Sequence, residues 1–267
     1  MTTPAPDTRL ISIAAGVSPE LEAAPDDFIT AAAAAGWEAT GVWFDPETWS
    51  DATTASVKGV LDDTGLAAVD MEVVRMGPRG DCGEALVDAA AEVGARNILT
   101  ISSFDDHTQA ADRLATLCQR AEPAGIRVCI EFMRFTAVKT LTDALEVVAL
   151  ADQPNAGILV DLLHAARSGS SHDAIAAVDP ALFPYAQWCD GPESPRGWST
   201  RDLIKDAVDD RDIPGEGHLE AQAFESLFAV SVPFSVEVRS KRLRDDYPDP
   251  VERARHLLRA TAAALTP

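Results

Sequence analysis

Eight short apolar runs rich in β-branched residues alternate with segments whose alanines and leucines fall at helical spacing. No other feature of the chain narrows its fold as much. Strands that pair in parallel need a crossover between them, and a helix is the usual crossover. The runs predict strands at residues 10–14, 40–44, 67–74, 97–102, 127–132, 157–162, 185–189 and 234–238. Helices are expected near residues 26–35, 55–63, 82–93, 109–121, 142–150, 172–177, 220–228 and 250–264. Gly36, Gly65, Gly94 and Gly125 each follow a helical run, where a C-terminal cap favours glycine.

Eight such alternations in 267 residues point to the α/β class and to a single closed (β/α)8 TIM barrel rather than an open doubly wound sheet. The expected organisation is a flexible N-terminal segment over residues 1–8 and one barrel over 9–267. An open sheet would more often carry a Gly-rich phosphate loop after its first strand. The loop here reads Ala14-Ala15-Gly16-Val17-Ser18 and lacks that pattern, which argues against a nucleotide cofactor. The stretch 191–217 holds several prolines and many charges, and its length suits a lid or a short inserted helix.

Composition excludes other classes. With 43 acidic against 22 basic side chains, the formal charge is −21, a balance that repels nucleic acid phosphates. A hydrophobic fraction of 46% is ample for a large core. The start, Met1-Thr2-Thr3-Pro4-Ala5-Pro6-Asp7, has no basic region before an apolar one, so no signal peptide is expected. No window reaches the ~18 apolar residues that a membrane span needs. Cys82, Cys118, Cys129 and Cys189 form no C-x-x-C pair and lie in apolar stretches, as buried thiols in a reducing compartment do. A cytoplasmic protein without membrane or nucleic-acid partners is the expectation, with a homo-oligomer left open as its assembly.

In a barrel of this type, the C-terminal ends of the strands converge on one mouth. Strand five reads Val128-Cys129-Ile130-Glu131-Phe132, and strand six runs Val160-Asp161-Leu162-Leu163-His164. Strand seven ends Gln187-Trp188-Cys189-Asp190, and strand eight ends Val236-Glu237-Val238-Arg239. Unpaired buried charges cost several kcal/mol each, so converging carboxylates ask for a cation. That cation is either a hard divalent metal or a set of arginines, Arg134 and Arg239 being the nearest in sequence. Trp43, Trp49, Trp188 and Trp198 also fall at or beyond strand ends, where ring faces stack on sugars or pack at the rim.

Glu131, Asp161-x-x-His164, Gln187-x-x-Asp190, Arg211-x-x-Pro214-Gly215-Glu216-Gly217 and Glu237, in that order, resemble the xylose-isomerase-like barrels. That superfamily includes sugar isomerases, ketose 3-epimerases, inosose and dehydroshikimate dehydratases and an endonuclease branch. The resemblance implies that Glu131, Asp161, Gln187 and Glu237 ligate a metal, and that His164 and Arg211 hold substrate oxygens. It further implies that Glu131 and Glu237 are the base and acid that move a proton next to a carbonyl, through an enediolate. Gln187 stands where many members have histidine, which turns the expected ion toward Mn²⁺ or Mg²⁺. The implied activity is that of a sugar isomerase or epimerase, with a lyase or dehydratase of the same superfamily as the alternative. The expected substrate is a small sugar, polyol or keto-acid, neutral or singly charged rather than a sugar phosphate.

Overall fold

A parallel strand covered by helices outside and by side chains inside has no wet face, so its sequence is apolar nearly throughout. All eight expected runs form such strands in the computed structural model, which describes residues 8–265. They are β1 (Ile11–Ile13), β2 (Ala39–Trp43), β3 (Ala67–Met76) and β4 (Asn97–Ser102), then β5 (Arg127–Glu131), β6 (Ala156–Asp161), β7 (Ala186–Trp188) and β8 (Phe234–Val236). Each pairs in parallel with the next, and β8 pairs with β1, closing a (β/α)8 barrel. The segment expected to precede the barrel lies outside the described residues except for Thr8.

Five long helices cover the first six strands: α1 (Pro25–Ala35), α2 (Asp51–Thr64), α3 (Gly83–Val93), α4 (His107–Ala121) and α5 (Leu141–Ala151). Gly36, Gly65 and Gly94 cap α1, α2 and α3, and Gly125 ends the turn after α4, all in the left-handed conformation. The second half is more broken, with α6 (Leu162–Ser168), α7 (His172–Ala176), α8 (Thr200–Asp209), α9 (Ala221–Glu225), α10 (Lys241–Asp246) and α11 (Pro250–Ala264). Helix α8 is the insertion expected within 191–217. No helix of the described residues is long and apolar enough to cross a membrane. All four cysteines are free thiols, three of them buried.

Period-two alternation sorts the side chains of the strands between two cores. Ala39, Val69, Leu99, Cys129, Leu159 and Tyr185 pack on one another as a layer inside the barrel, separate from the core between strands and helices. Two residues beyond Cys129, Leu159 and Tyr185, the same inward positions are Glu131, Asp161 and Gln187. The outward set, including Ile130, Val160 and Val236, belongs to the larger core. Trp188 is in this outward set, which corrects its expected place at the mouth. It is wholly buried, and its indole N–H donates to the Ala221 carbonyl at 2.9 Å.

Between β2 and β3 the register slips at Thr40/Gly41, so that Ala68 faces Thr40 and Asp70 faces Gly41. Val69 is the extra residue of this bulge, and it breaks the alternation. A β-carbon at Gly41 would lie 3.2 Å from Asp70 Oδ1, so the missing side chain there makes room for the carboxyl.

Helix α8 is tied to α6 by a buried ion pair in which Arg167 Nε donates to Asp206 Oδ2 at 2.6 Å. Arg167 also donates to the Pro192 carbonyl, which pins the start of the insertion. Asp206→Ala strands that guanidinium without its partner, and a loss of about 3–5 kcal/mol is expected. Chemical denaturation measures the loss, and limited proteolysis between residues 191 and 217 should quicken with it. Unchanged stability would show that the pair does not anchor the insertion.

Candidate functional site

Asp161 ends β6 and is at once the N-cap of α6, its Oδ1 accepting from the His164 backbone N–H at 3.0 Å. An N-cap reaches the third helical residue, which accounts for the Asp161-x-x-His164 spacing and places the imidazole on the first turn. The strand expected to run through Leu162 therefore stops one residue earlier. The second oxygen of Asp161 accepts from Arg211 Nη1 at 2.6 Å.

Arg211 is delivered to that point by the loop after β7. Asp190 accepts from the backbone N–H groups of Gly191, Gly215 and Leu219 at 2.8–3.0 Å, and its backbone bridges to Asp212. A β-carbon at Gly217 would come within 2.5 Å of Asp190 Oδ1 and of the Gly191 carbonyl, so only glycine lets the loop close onto the acid. The Pro214-Gly215-Glu216-Gly217 turn thus clamps the segment that carries Arg211. Its guanidinium donates to the Ala207 carbonyl of α8 at 2.8 Å and pairs with Glu237 Oε2 at 2.7 Å. It also approaches His164 Nε2 at 3.4 Å, and that nitrogen lies 3.8 Å from Glu131 Oε1. The counter-ion of the acid cluster is therefore Arg211. Arg134 instead donates to the Arg167 carbonyl and covers the exposed Trp198 ring, while Arg239 pairs with Glu22.

Charge is unevenly settled here. Burial, then the Asp161 and Glu237 charges, hold the Glu131 carboxyl well above its ordinary range. Burial raises Glu237 to about 7 even against the pull of Arg211. Burial opposes the Asp161 anion most strongly of any single cause, but the Arg211 charge and the hydrogen bonds from Arg211 and the His164 backbone together leave its carboxyl below the usual range. His164 is pushed by burial down to about 4, so at neutral pH it is an uncharged imidazole able to accept from Arg211.

Glu131, Asp161, Gln187 and Glu237 offer three carboxylates and an amide oxygen. Glu131 Oε1 and both polar atoms of the Gln187 side chain are buried without a hydrogen-bond partner. Orphaned oxygens facing an acid-rich interior are what a hard divalent cation requires, so the donor set fits one. Among the described residues no three His, Cys, Asp or Glu side chains already form a ligating group, and Arg211 bridges two of the four candidates.

Glu131, His164, Arg211 and Glu237 share a cavity of about 270 Å³ with Trp43 and Phe135. Two acids beneath and beside them escape a reading based on strand-ending carboxylates. Asp70 is fully buried with both oxygens unpartnered, and Glu72, which lines the cavity, has one. The signal for Glu72 was present in the apolar run of β3, whereas the inward turn of Asp70 depends on the bulge.

A family model described as a xylose isomerase-like TIM barrel matches residues 29–263. Inosose isomerase from Bacillus subtilis (strain 168) is 27% identical over 138 residues, 51% of this chain and 47% of that protein. The match thus spans about half the length of each. Among solved structures, the IOLI protein with a binding zinc atom superposes with a TM-score of 0.73 at 14% identity, over 96% of this chain and 99% of the other. A D-allulose 3-epimerase from Methylomonas sp. in complex with D-allulose gives 0.71 at 14% identity, over 99% and 100%.

Asp70 provides a test of the buried charge. Burial and then Glu237 raise its carboxyl to about 7 from an ordinary 3.8. The native state therefore holds a proton that the unfolded chain has released, and stability drops as pH rises from about 4 through 7. In metal-free protein, Asp70→Asn should melt above the parent at pH 8, by up to about 4 kcal/mol in stability, the gap closing toward pH 4. Thermal melts across that range check it; a gap that stays constant or reverses would mean that Asp70 is ionised and paired in the fold.

Proposed function

The chain belongs to the xylose isomerase-like TIM barrel family, and on that premise we propose that its mouth moves a proton next to a carbonyl of a small polyhydroxylated substrate. The observation that carries this reading is the pair of buried glutamates, Glu131 and Glu237, in one cavity with the neutral His164 and the charged Arg211. General acid–base work is most efficient when the pKa lies near the working pH, and burial lifts both glutamates toward it. Glu131, with its unpartnered oxygen, accepts the proton from carbon. Glu237, paired with Arg211, returns one. His164 and Arg211 orient substrate oxygens, and Phe135, edge-on to the imidazole with centroids 5.6 Å apart, keeps that ring in place.

Glu131, Asp161, Gln187 and Glu237 would hold a divalent ion. Carboxylate and amide oxygens are hard donors, which favours Mn²⁺ or Mg²⁺ over the zinc of the IOLI protein. When bound, such an ion supplies positive charge for the oxygen that becomes negative as the neighbouring C–H proton leaves. Isomerisation or epimerisation of a sugar, yielding an enediolate on the way, is the first reading, in keeping with the inosose isomerase and D-allulose epimerase relatives.

One observation favours elimination as a second reading. Glu237 is ion-paired to Arg211 at 2.7 Å, whereas Glu131 has no cation on it and stands beside His164. An elimination on one face needs a single carboxyl, and Glu131 would meet that need by taking the proton from carbon and giving it to the departing hydroxyl, which leaves as water.

Protein purified with Mn²⁺ and incubated in D₂O with D-fructose, D-allulose and an inosose should incorporate deuterium at the carbon beside the carbonyl. Product analysis separates an epimer from a dehydrated enone. Glu131→Gln and Glu237→Gln should each lower turnover by at least ~100-fold, with metal content measured in each variant. Near-normal turnover at full metal content would remove that glutamate from the mechanism. Chelation should abolish exchange, and Mn²⁺ or Mg²⁺ should restore it.

A further inference from the structure

We propose that the substrate carries a carboxylate, and that Arg75, with Arg239 across Trp43, receives it on the β2–β3 side of the mouth. This rests on the proton-transfer reading of the same cavity and adds the charge of the substrate to it.

The surplus of acid in this chain occupies most of its arginines. Arg113 is held by Asp81 and Glu84, Arg244 by Asp209, and Arg167 by Asp206. Arg75 lines the cavity that holds Glu131, His164 and Glu237, yet among the described residues its guanidinium has no hydrogen-bond or ion-pair partner. A cation left open at the mouth of an acidic barrel is the complement of an anion that is not part of the protein.

Arg239 lines the same cavity and is held in position there. A β-carbon at Gly16 would lie 3.0 Å from Cδ and Nη1 of Arg239, so the glycine gives this side chain its berth. Nη2 donates to Glu22 at 2.9 Å, and the guanidinium carbon lies 5.8 Å from the Trp43 ring centroid. Its Nε is buried and has no partner. An unfilled donor on a planar guanidinium matches one edge of a planar carboxylate. Leu99, Ile101 and Met133 line the same cavity as the buried Arg239 Nε, where a charged hydrogen bond is strengthened, while the Arg75 side chain is exposed at the rim. Glu72 lines the same cavity. Burial, then Asp70 and Glu237, hold its carboxyl well above the ordinary range, which favours a protonated donor over a repelling anion.

Charge balance selects carboxylate over phosphate. Glu22 neutralises Arg239, so the pair offers one net positive charge, enough for a singly charged group. A doubly charged phosphate would leave an excess negative charge near Glu131 and Glu237. A second cavity of about 540 Å³ continues outward from Trp43, Val73 and Arg75, which places Arg75 where the two meet and leaves the inner 270 Å³ for the reacting carbons.

Isothermal titration of the Mn²⁺-loaded protein with D-gluconate, D-glucitol and D-glucitol 6-phosphate, which share one carbon skeleton, tests this. Gluconate should bind at least ~10-fold more tightly than glucitol, a gain of about 1.4 kcal/mol, and the phosphate no more tightly than gluconate. Arg75→Ala should bring gluconate down to the glucitol level, and Arg75→Lys should recover part of the gap. Equal binding of gluconate and glucitol, tighter binding of the phosphate, or a gluconate preference that survives Arg75→Ala because the carboxylate sits on the metal would each overturn the proposal. If no carbonyl compound exchanges deuterium but the Arg75-dependent preference is measured, the carboxylate subsite stands and the proton-transfer reading falls.

Discussion

Arg211 carries a full charge to a place that water scarcely reaches, and it is tolerated there because Asp161 and Glu237 grip its two terminal nitrogens at 2.6 and 2.7 Å. Removing one partner from a buried pair of this kind costs several kcal/mol, since the other charge stays behind in low dielectric. Much of the second half of the barrel serves that placement. Asp190 gathers the loop after β7, Gly217 lets the loop close, Ala207 of α8 accepts from the guanidinium, and the Arg167–Asp206 pair holds α8 where its carbonyl is needed.

One guanidinium does not balance the acids around it. Glu131, Glu237, Asp70 and Glu72 are all held above the ordinary carboxyl range, chiefly by burial. Each raised carboxyl is free energy stored against ionisation, and a divalent ion at the proposed ligands would release it. Gln187 fits this economy of charge. A fourth carboxylate at its position would deepen the imbalance, while a neutral amide adds a donor oxygen without adding to the repulsion.

The positions of Glu131, Asp161, Gln187 and Glu237 were legible because the barrel is parallel and its strands alternate strictly in the second half. A polar residue in an otherwise apolar run must face inward, toward the mouth. The same rule, applied to faces and not only to strand ends, puts Trp188 outward beside Gln187, where it packs under α9. Asp161-x-x-His164 was visible as a spacing, but its cause, a helix that starts at the last residue of the strand, is a cap geometry that the apolar pattern of Leu162 and Leu163 hides. Asp70 was not legible at all. Its inward turn follows from one extra residue in a bulge against β2, and a register slip leaves no mark on hydrophobic periodicity.

The mouth is divided between two arcs of the wall. Glu131, Asp161, Gln187 and Glu237 come from β5 through the end of β8, while Trp43, Glu72, Val73 and Arg75 come from β2 and β3. The acid-bearing arc is locked, since Glu131, Asp161 and Glu237 are coupled to one another through Arg211 or through shared charge. On the opposite arc Glu72 shares charge with Glu237, but among the described residues Trp43 and Arg75 form no ion pair with the acids, and a change at either leaves those charges where they are. Selection for a new ligand therefore has an independent surface to act on, and a barrel built this way can diversify in what it accepts while its reaction stays the same.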